Sequence, residues 1–132
     1  MRLEVTRRAG LAVRALAALS PPGTRLKAGE LATALDTTAG FMPQVVGPLV
    51  KAGWVRSVPG PTGGYVLSES AITLSVLDVV EAIDGPTDTG RCVVEGHPCG
   101  SAGAPCVLHR AWASSRAILR DELAATPALP PT

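Results

Sequence analysis

Residues 49–67 decide the fold, and they read LVKAGWVRSVPGPTGGYVL. Within them, residues 54–58 alternate apolar and polar side chains as a strand does, and residues 65–67 are typical of a second strand. The Gly- and Pro-rich segment between them is typical of a turn. Gly53 is suited to end a preceding helix. The stretch therefore predicts a helix end followed directly by a β-hairpin.

Upstream of the hairpin, the apolar spacing predicts three helices, at 6–19, 27–35 and 40–52. Pro43 is compatible with the third helix because its missing N–H falls in the first turn. Pro48 lies inside the third helix, where it removes the hydrogen bond to the Gln44 carbonyl, so we expect a kink there.

Three helices followed by a hairpin are the order of a winged helix-turn-helix, in which the third helix enters the major groove of DNA. The start of that helix would read base edges, exposed basic residues would contact phosphates, and the Gly/Pro tip of the wing would offer backbone N–H groups. Surface charges without a partner are the alternative for each basic residue. The base-reading candidates are Thr38, Gly40, Phe41 and Gln44; the phosphate candidates are Arg2, Arg7, Lys27, Lys51 and Arg56; the wing candidates are Gly60, Thr62 and Gly63.

The charge distribution agrees with a DNA-binding first half. Residues 1–65 contain eight Lys/Arg and three Asp/Glu, a balance of +5, whereas residues 66–132 contain four and eight, a balance of −4. A polyanion responds to the local field, so a net charge of +1 over the whole chain does not exclude DNA as a partner.

The second half predicts a helix at 75–84, N-capped by Thr73 or Ser75, then a loop at 85–105 and a long helix at 105–125. We expect residues 126–132 to be a disordered tail. The fold class is mainly α with a small β-hairpin. Residues 1–70 would form the winged helix-turn-helix, and residues 71–125 would carry a cysteine sensor loop and a dimerisation helix.

Three cysteines, Cys92, Cys99 and Cys106, lie in the pattern C-x6-C-x6-C, and His109 follows three residues after the last. An odd number excludes a complete disulfide framework. If Pro105 begins the last helix, Cys106 lies in its first turn, where the helix dipole favours thiolate, and His109 shares its face. Thiolates with an imidazole suit an iron–sulfur cluster or zinc, although zinc sites usually have tighter spacing. His97 is a competing ligand, and a metal-free redox switch remains an alternative.

Composition limits the remaining classes of function. A chain of 132 residues fits one domain, and Arg14 interrupts the apolar stretch that would otherwise resemble a secretion signal. No run of uncharged apolar residues is long enough for a membrane span, so we expect a cytoplasmic protein with no membrane partner.

The sequence shows no nucleophile–base pair, phosphate loop or paired carboxylates, so we do not expect an enzyme. A small iron–sulfur carrier without a DNA role is the alternative from another class.

Four stretches together resemble one known family: MRLEV at 1–5, the stretch at 49–67, TLSVLDVVEAIDG at 73–85 and CVLHRAW at 106–112. With the three cysteines, they are similar to the Rrf2 family of winged-helix regulators, of the IscR and NsrR types. The resemblance implies a homodimer with crossing C-terminal helices. It also implies a transcriptional regulator, here expected to be a repressor. Its affinity for the operator would be controlled by an iron–sulfur cluster that senses redox state, nitric oxide or cluster supply.

The same resemblance implies which residues would bind the cluster. Cys92, Cys99 and Cys106 would be ligands, and the position of His109 resembles the fourth ligand of the IscR type, which holds a 2Fe-2S cluster. The NsrR type instead takes a carboxylate from the partner's first helix, and residues 7–10 contain no acid; Glu4 is the nearest. A 2Fe-2S cluster is therefore favoured, and 4Fe-4S remains an alternative.

Overall fold

The computed structural model describes residues 1–94, 96–100 and 104–131. Within those ranges no helix is both long enough and apolar enough to cross a membrane. The strands form one antiparallel sheet in the order β1-β3-β2. The helices are α1 (Arg7–Ala18), α2 (Ala28–Ala34), α3 (Met42–Lys51), α4 (Val76–Asp84) and α5 (His109–Ala125), and the strands are β1 (Arg25–Leu26), β2 (Val55–Val58) and β3 (Gly64–Leu67).

The first helix has a buried face, as the apolar spacing predicts. Thr6 caps α1 by accepting a hydrogen bond from the Ala9 N–H at 3.1 Å. One face of α1 is buried and consists of alanines and leucines, among them Ala15 and Leu16. Small alanine side chains let neighbouring helices approach closely, and α1 packs against both α3 and α4.

The third helix begins later than predicted. Gly40 and Phe41 lie in a short 3₁₀ turn, Ala39–Phe41, and α3 begins at Met42. Pro43 occupies the first turn, as expected, and α3 continues through Pro48 to Lys51 as one helix. The predicted kink at Pro48 stays a prediction. The buried face of α3 holds it in place, with Val45, Val46 and Leu49 fully enclosed.

The sheet has one strand more than the predicted hairpin. The hairpin itself is confirmed, since β2 pairs with β3 from Val55↔Leu67 to Val58↔Gly64. The additional strand, β1, pairs with the other edge of β3. Because β1 is two residues long, it has no alternation that a sequence pattern could detect.

The end of the chain differs from its prediction in two places. We predicted a last helix from 105, but α5 begins at His109, and Cys106 lies in a turn closed by a 3.1 Å bond from the His109 N–H to its carbonyl. Cys106 therefore lies before the first turn of α5 and not inside it, which corrects its predicted placement.

The tail was expected to be disordered, but its described residues pack against the body of the protein. The Val76 N–H donates to the Thr126 carbonyl, and the Ala128 N–H donates to the Leu74 carbonyl, both at 2.8 Å. Ala128 is only 6% exposed. These bonds fasten the end of α5 to the start of α4, whose N-terminus is capped by Ser75.

Candidate functional site

The start of the third helix presents the predicted base-reading residues to solvent. Thr38, Gly40 and Gln44 are all exposed. Phe41 differs, because it is half-buried and packs against the hydrophobic core. The structure therefore leaves Thr38, Gly40 and Gln44 accessible on one segment and gives Phe41 an anchoring role as well.

The tip of the wing is closed by a contact of its own backbone. Gly60 and Thr62 are exposed at its tip, as expected, but Gly63 is buried. The Gly63 N–H donates to the Gly60 carbonyl at 3.0 Å, so it is not available for a phosphate. A Cβ on Gly63 would lie 1.9 Å from the Val58 carbonyl oxygen. Gly63 therefore closes the tip of the wing.

The predicted phosphate contacts fall into two groups. Lys27 at the start of α2, Lys51 in the last turn of α3 and Arg56 on β2 are exposed. Arg2 and Arg7 are exposed as well, and Arg2 also lines a cavity with Trp112 and other residues of α5.

Sequence reasoning missed the role of Arg25. Its Nη1 donates to the Thr62 carbonyl at 2.8 Å and braces the wing. No sequence signal marks this contact, because it depends on β1, which was not predicted.

The three cysteines meet at one place, and we call Cys92, Cys99 and Cys106 the thiol triad. Their sulfur atoms all lie within 4.8 Å of one another. The Cys92 and Cys106 Sγ atoms are 3.5 Å apart, and the Cys106 N–H donates to the Cys99 Sγ at 3.0 Å. Cys92 is buried, and the other two are half-buried. This geometry presents three soft donors to one point.

Backbone hydrogen bonds position the thiol triad. The Cys92 N–H donates to the His97 carbonyl at 2.7 Å, and the Gly96 N–H donates to the Cys92 carbonyl at 3.1 Å. These bonds bring Gly96 and His97 back against Cys92. Cys106 is fixed from the other side by the turn that leads into α5.

The two histidines differ in their placement. His109, the first residue of α5, lines the same cleft as the thiol triad. Within the described ranges, however, the only group of three or more potential ligand atoms that lie within 4.8 Å of one another is that of the three sulfurs. His97 is exposed, and its Nδ1 lies 3.1 Å from the Pro98 carbonyl oxygen. The structure thus brings together three of the four predicted ligands, with the imidazole of His109 at the edge of the site.

The protonation of Cys99 follows from its neighbours. The Cys106 N–H lowers the pKa of the Cys99 thiol, but desolvation and the sulfurs of Cys106 and Cys92 outweigh it and raise that pKa to about 11. Cys99 is therefore a neutral thiol at pH 7 in the metal-free protein. Binding of a metal centre would have to release this proton.

Carboxylates fasten the start of the cysteine loop to the helices. Glu81 of α4 accepts from the Thr87 N–H and lies 3.9 Å from the Arg120 Nε. Asp88 forms an ion pair with Arg116 of α5 at 3.1 Å. The Gly90 N–H and Arg116 lower the pKa of the Asp88 carboxyl, and the Thr87 backbone and side-chain groups lower that of Glu81, with a smaller effect of Arg120.

Four further residues line the thiol cleft: Arg91, Val93, Trp112 and Arg116. The sequence contained a signal for two of them, because His109, Trp112 and Arg116 follow the i, i+3, i+7 spacing of one helix face. The spacing alone does not connect this face with the cysteines; the fold does so by placing the thiol triad beside it.

Comparison with known proteins identifies a family and several relatives. Residues 5–127 match the family model described as Rrf2, an iron-dependent transcriptional regulator. The HTH-type transcriptional regulator IscR of Vibrio vulnificus is 36% identical over 83 residues, which are 63% of this chain and 48% of that protein. The chain thus spans about half the length of that relative.

Solved structures share the fold. CymR of Staphylococcus aureus superimposes with a TM-score of 0.74 at 24% identity, covering 93% of each chain. T. potens IscR superimposes with a TM-score of 0.70 at 20% identity, covering 96% of this chain and 83% of that one. At these identities the likeness supports the winged-helix architecture alone.

Proposed function

The chain belongs to the Rrf2 family of transcriptional regulators, which are not enzymes, and on that premise we propose a specific regulator. It is a homodimeric repressor that acts in the cytoplasm and binds duplex DNA, with an operator affinity set by an iron–sulfur cluster. The observation that carries this proposal is the thiol triad, whose three sulfurs lie within 4.8 Å of one another. The signal would be redox state, nitric oxide or cluster supply.

The donor set suits an iron–sulfur cluster. Cysteine thiolates are the usual ligands of such clusters, and an imidazole replaces a thiolate in some. Cys92, Cys99 and Cys106 would hold the cluster, with His109 as the fourth ligand of a 2Fe-2S form; a 4Fe-4S form is the alternative. When bound, the cluster would supply a centre that reacts with oxidants and nitric oxide.

The long helix α5 supports a homodimer. None of its residues is buried within the described part of this single chain, and Ile118 is 65% exposed. Its 17 residues give a length of about 25 Å. Two copies of α5 packed together would cover Ile118 and fix the spacing between the two winged-helix domains of the dimer.

The DNA interface would combine α3, α2 and the wing. Gln44 and Thr38 would read base edges, with Gly40 allowing close approach. Lys27, Lys51 and Arg56 would contact phosphates, and the exposed Gly60 and Thr62 would place the wing against the backbone. Arg2 lies beside α5 and is left out of this interface.

A packed route connects the thiols with the reading helix. The cysteine loop leaves α4 directly after Asp84, which accepts a 2.6 Å bond from the Thr6 hydroxyl at the start of α1. Arg8 donates to the Ile83 carbonyl at 2.9 Å. Because α1 also packs against α3, a change in the loop would be transmitted from the end of α4 to α1, and from α1 to α3.

Anaerobic purification tests the cluster. We expect brown protein with iron and acid-labile sulfide in equal amounts, and colourless Cys92→Ala protein. His109→Ala should lower cluster stability, whereas the control His97→Ala should not. Colourless wild-type protein, after anaerobic reconstitution with iron and sulfide, would contradict the proposal.

DNA binding is tested on duplexes selected in vitro from random sequence. The slope of log affinity against log salt should be steep, and Lys51→Ala should reduce it by about one. Arg120→Ala, a charge on α5, is the matched control and should leave the slope unchanged. A selection that enriches no sequence would contradict the role of α3.

A second function is supported by the distance between Cys92 and Cys106. Sulfurs 3.5 Å apart are close to the geometry of a disulfide. A metal-free regulator could therefore switch by oxidation of this pair. It would be colourless when purified without oxygen, with a DNA affinity that responds to a thiol oxidant.

A further inference from the structure

Arg116 occupies a particular place beside the thiol triad. It lies on α5, two helical turns after His109, and lines the cleft that the three cysteines form. Its Nη1 is held at 3.1 Å by the Asp88 carboxylate, and its side chain is only 22% exposed. The guanidinium is thus fixed and partly shielded from water, and it is not a ligand.

The charged side chains that line the cleft are cationic, and one of them, Arg116, is paired with the Asp88 carboxylate. Among the described residues that line the cleft, Arg91 and Arg116 are cationic and none is a carboxylate. An arginine remains charged at any physiological pH. In a partly desolvated site its field on the sulfurs is weakened less than it would be in bulk water.

We propose that Arg116 sets the reduction potential of the centre held by the thiol triad; this inference rests on the proposed function. Three thiolates make the site strongly anionic, and one-electron reduction adds a further negative charge. A fixed cation beside the sulfurs stabilises that added charge, so it favours the reduced form. Arg116 therefore makes the centre easier to reduce and decides the redox range in which the regulator responds.

A purely mechanical role for the same residue makes a different prediction. The ion pair between Arg116 and Asp88 fastens the cysteine loop to α5, so a mechanical role predicts that losing either partner has the same effect. A charge role predicts opposite signs, because Arg116→Gln removes a positive charge and Asp88→Asn removes a negative one. The two isosteric variants separate these roles.

The experiment is an anaerobic redox titration of the iron–sulfur protein, with iron and sulfide counted in each variant. We expect Arg116→Gln to lower the equilibrium constant for reduction about tenfold, which is about 59 mV for one electron. Arg116→Lys should retain most of the wild-type potential, and Asp88→Asn should not lower it. Arg110→Gln, which removes a charge from α5 outside the cleft, should match the wild type.

Two results would overturn the inference alone: an Arg116→Gln potential equal to that of the wild type, or equal decreases in Arg116→Gln and Asp88→Asn. If Arg116→Gln binds no iron, the test rests on Arg116→Lys and Asp88→Asn. A reduction potential below that of the wild type in both of these variants would overturn the inference. A wild-type protein that binds no iron would overturn the proposed function, and this inference with it.

Discussion

The Sγ atoms of Cys92 and Cys106 lie 3.5 Å apart although 14 residues separate them along the chain. The loop after Cys92 and the turn before α5 bring them together. A disulfide requires about 2.05 Å between sulfurs, so a small movement would allow the bond.

The first prediction concerns oxidation of the metal-free protein. Diamide should join Cys92 to Cys106, as the two thiols release two protons and two electrons to the oxidant. Cys99 should remain open to alkylation by N-ethylmaleimide, and peptide mass spectrometry measures both. Cys99→Ala should retain the bond. Oxidised protein in which Cys99 is mainly bonded to another cysteine would contradict this pairing.

The second prediction concerns the glycines of the wing. Gly63→Ala should destabilise the protein by more than about 2 kcal/mol, because its Cβ would meet the Val58 carbonyl oxygen. Gly64→Ala should do likewise, since Gly64 has a φ of 137° and its Cβ would lie 2.6 Å from the Leu26 carbonyl oxygen. Urea unfolding measures the change. Gly29→Ala, with open space around it, is the control and should stabilise the protein by about 0.5–1 kcal/mol.

The third prediction concerns the end of the chain. Removing residues 126–132 deletes two backbone hydrogen bonds to the start of α4 and the burial of Ala128. The free energy of unfolding should fall by about 1–3 kcal/mol, as measured by urea denaturation. Removing only residues 130–132 leaves those contacts and should change little. Equal stabilities of the two truncated proteins would show that the packing contributes nothing.

The fourth prediction is a pH dependence carried by Glu81. The Thr87 hydrogen bonds lower its pKa, with a smaller effect of Arg120, so its stabilising effect is present above the ordinary value of 4.5 and is lost as pH falls through the lowered value. Glu81→Gln should cost about 1 kcal/mol at pH 7 and progressively less below about pH 4.5. Exposed Glu122→Gln is the control. A cost for Glu81→Gln that stays constant with pH would contradict the assignment.

Much of the fold follows from local signals in the sequence. The Gly/Pro turn between two alternating segments is sufficient for the β2–β3 hairpin, and Ser75 followed by Asp78 marks the start of α4 through a reciprocal cap. The C-x6-C-x6-C spacing was also sufficient to predict that the three cysteines belong to one site.

The remaining features depend on contacts between distant parts of the chain. Strand β1 exists because Gly64 lets Leu26 approach β3, which no pattern in residues 25–26 reveals. The start of α5 depends on the turn at Cys106, where a proline suggested an earlier helix. The ion pair of Arg116 with Asp88, 28 residues away, could not be predicted from a local pattern either.

The central claim is that the thiol triad controls how tightly the winged helix binds DNA, and fluorescence anisotropy on one selected duplex tests it most directly. Cluster-loaded and metal-free wild-type protein should differ in affinity at least about tenfold, which corresponds to about 1.4 kcal/mol of coupling. The variant with all three cysteines changed to alanine should bind with one affinity whatever the treatment. Equal affinities of loaded, metal-free, oxidised and nitric-oxide-treated wild-type protein would contradict the claim.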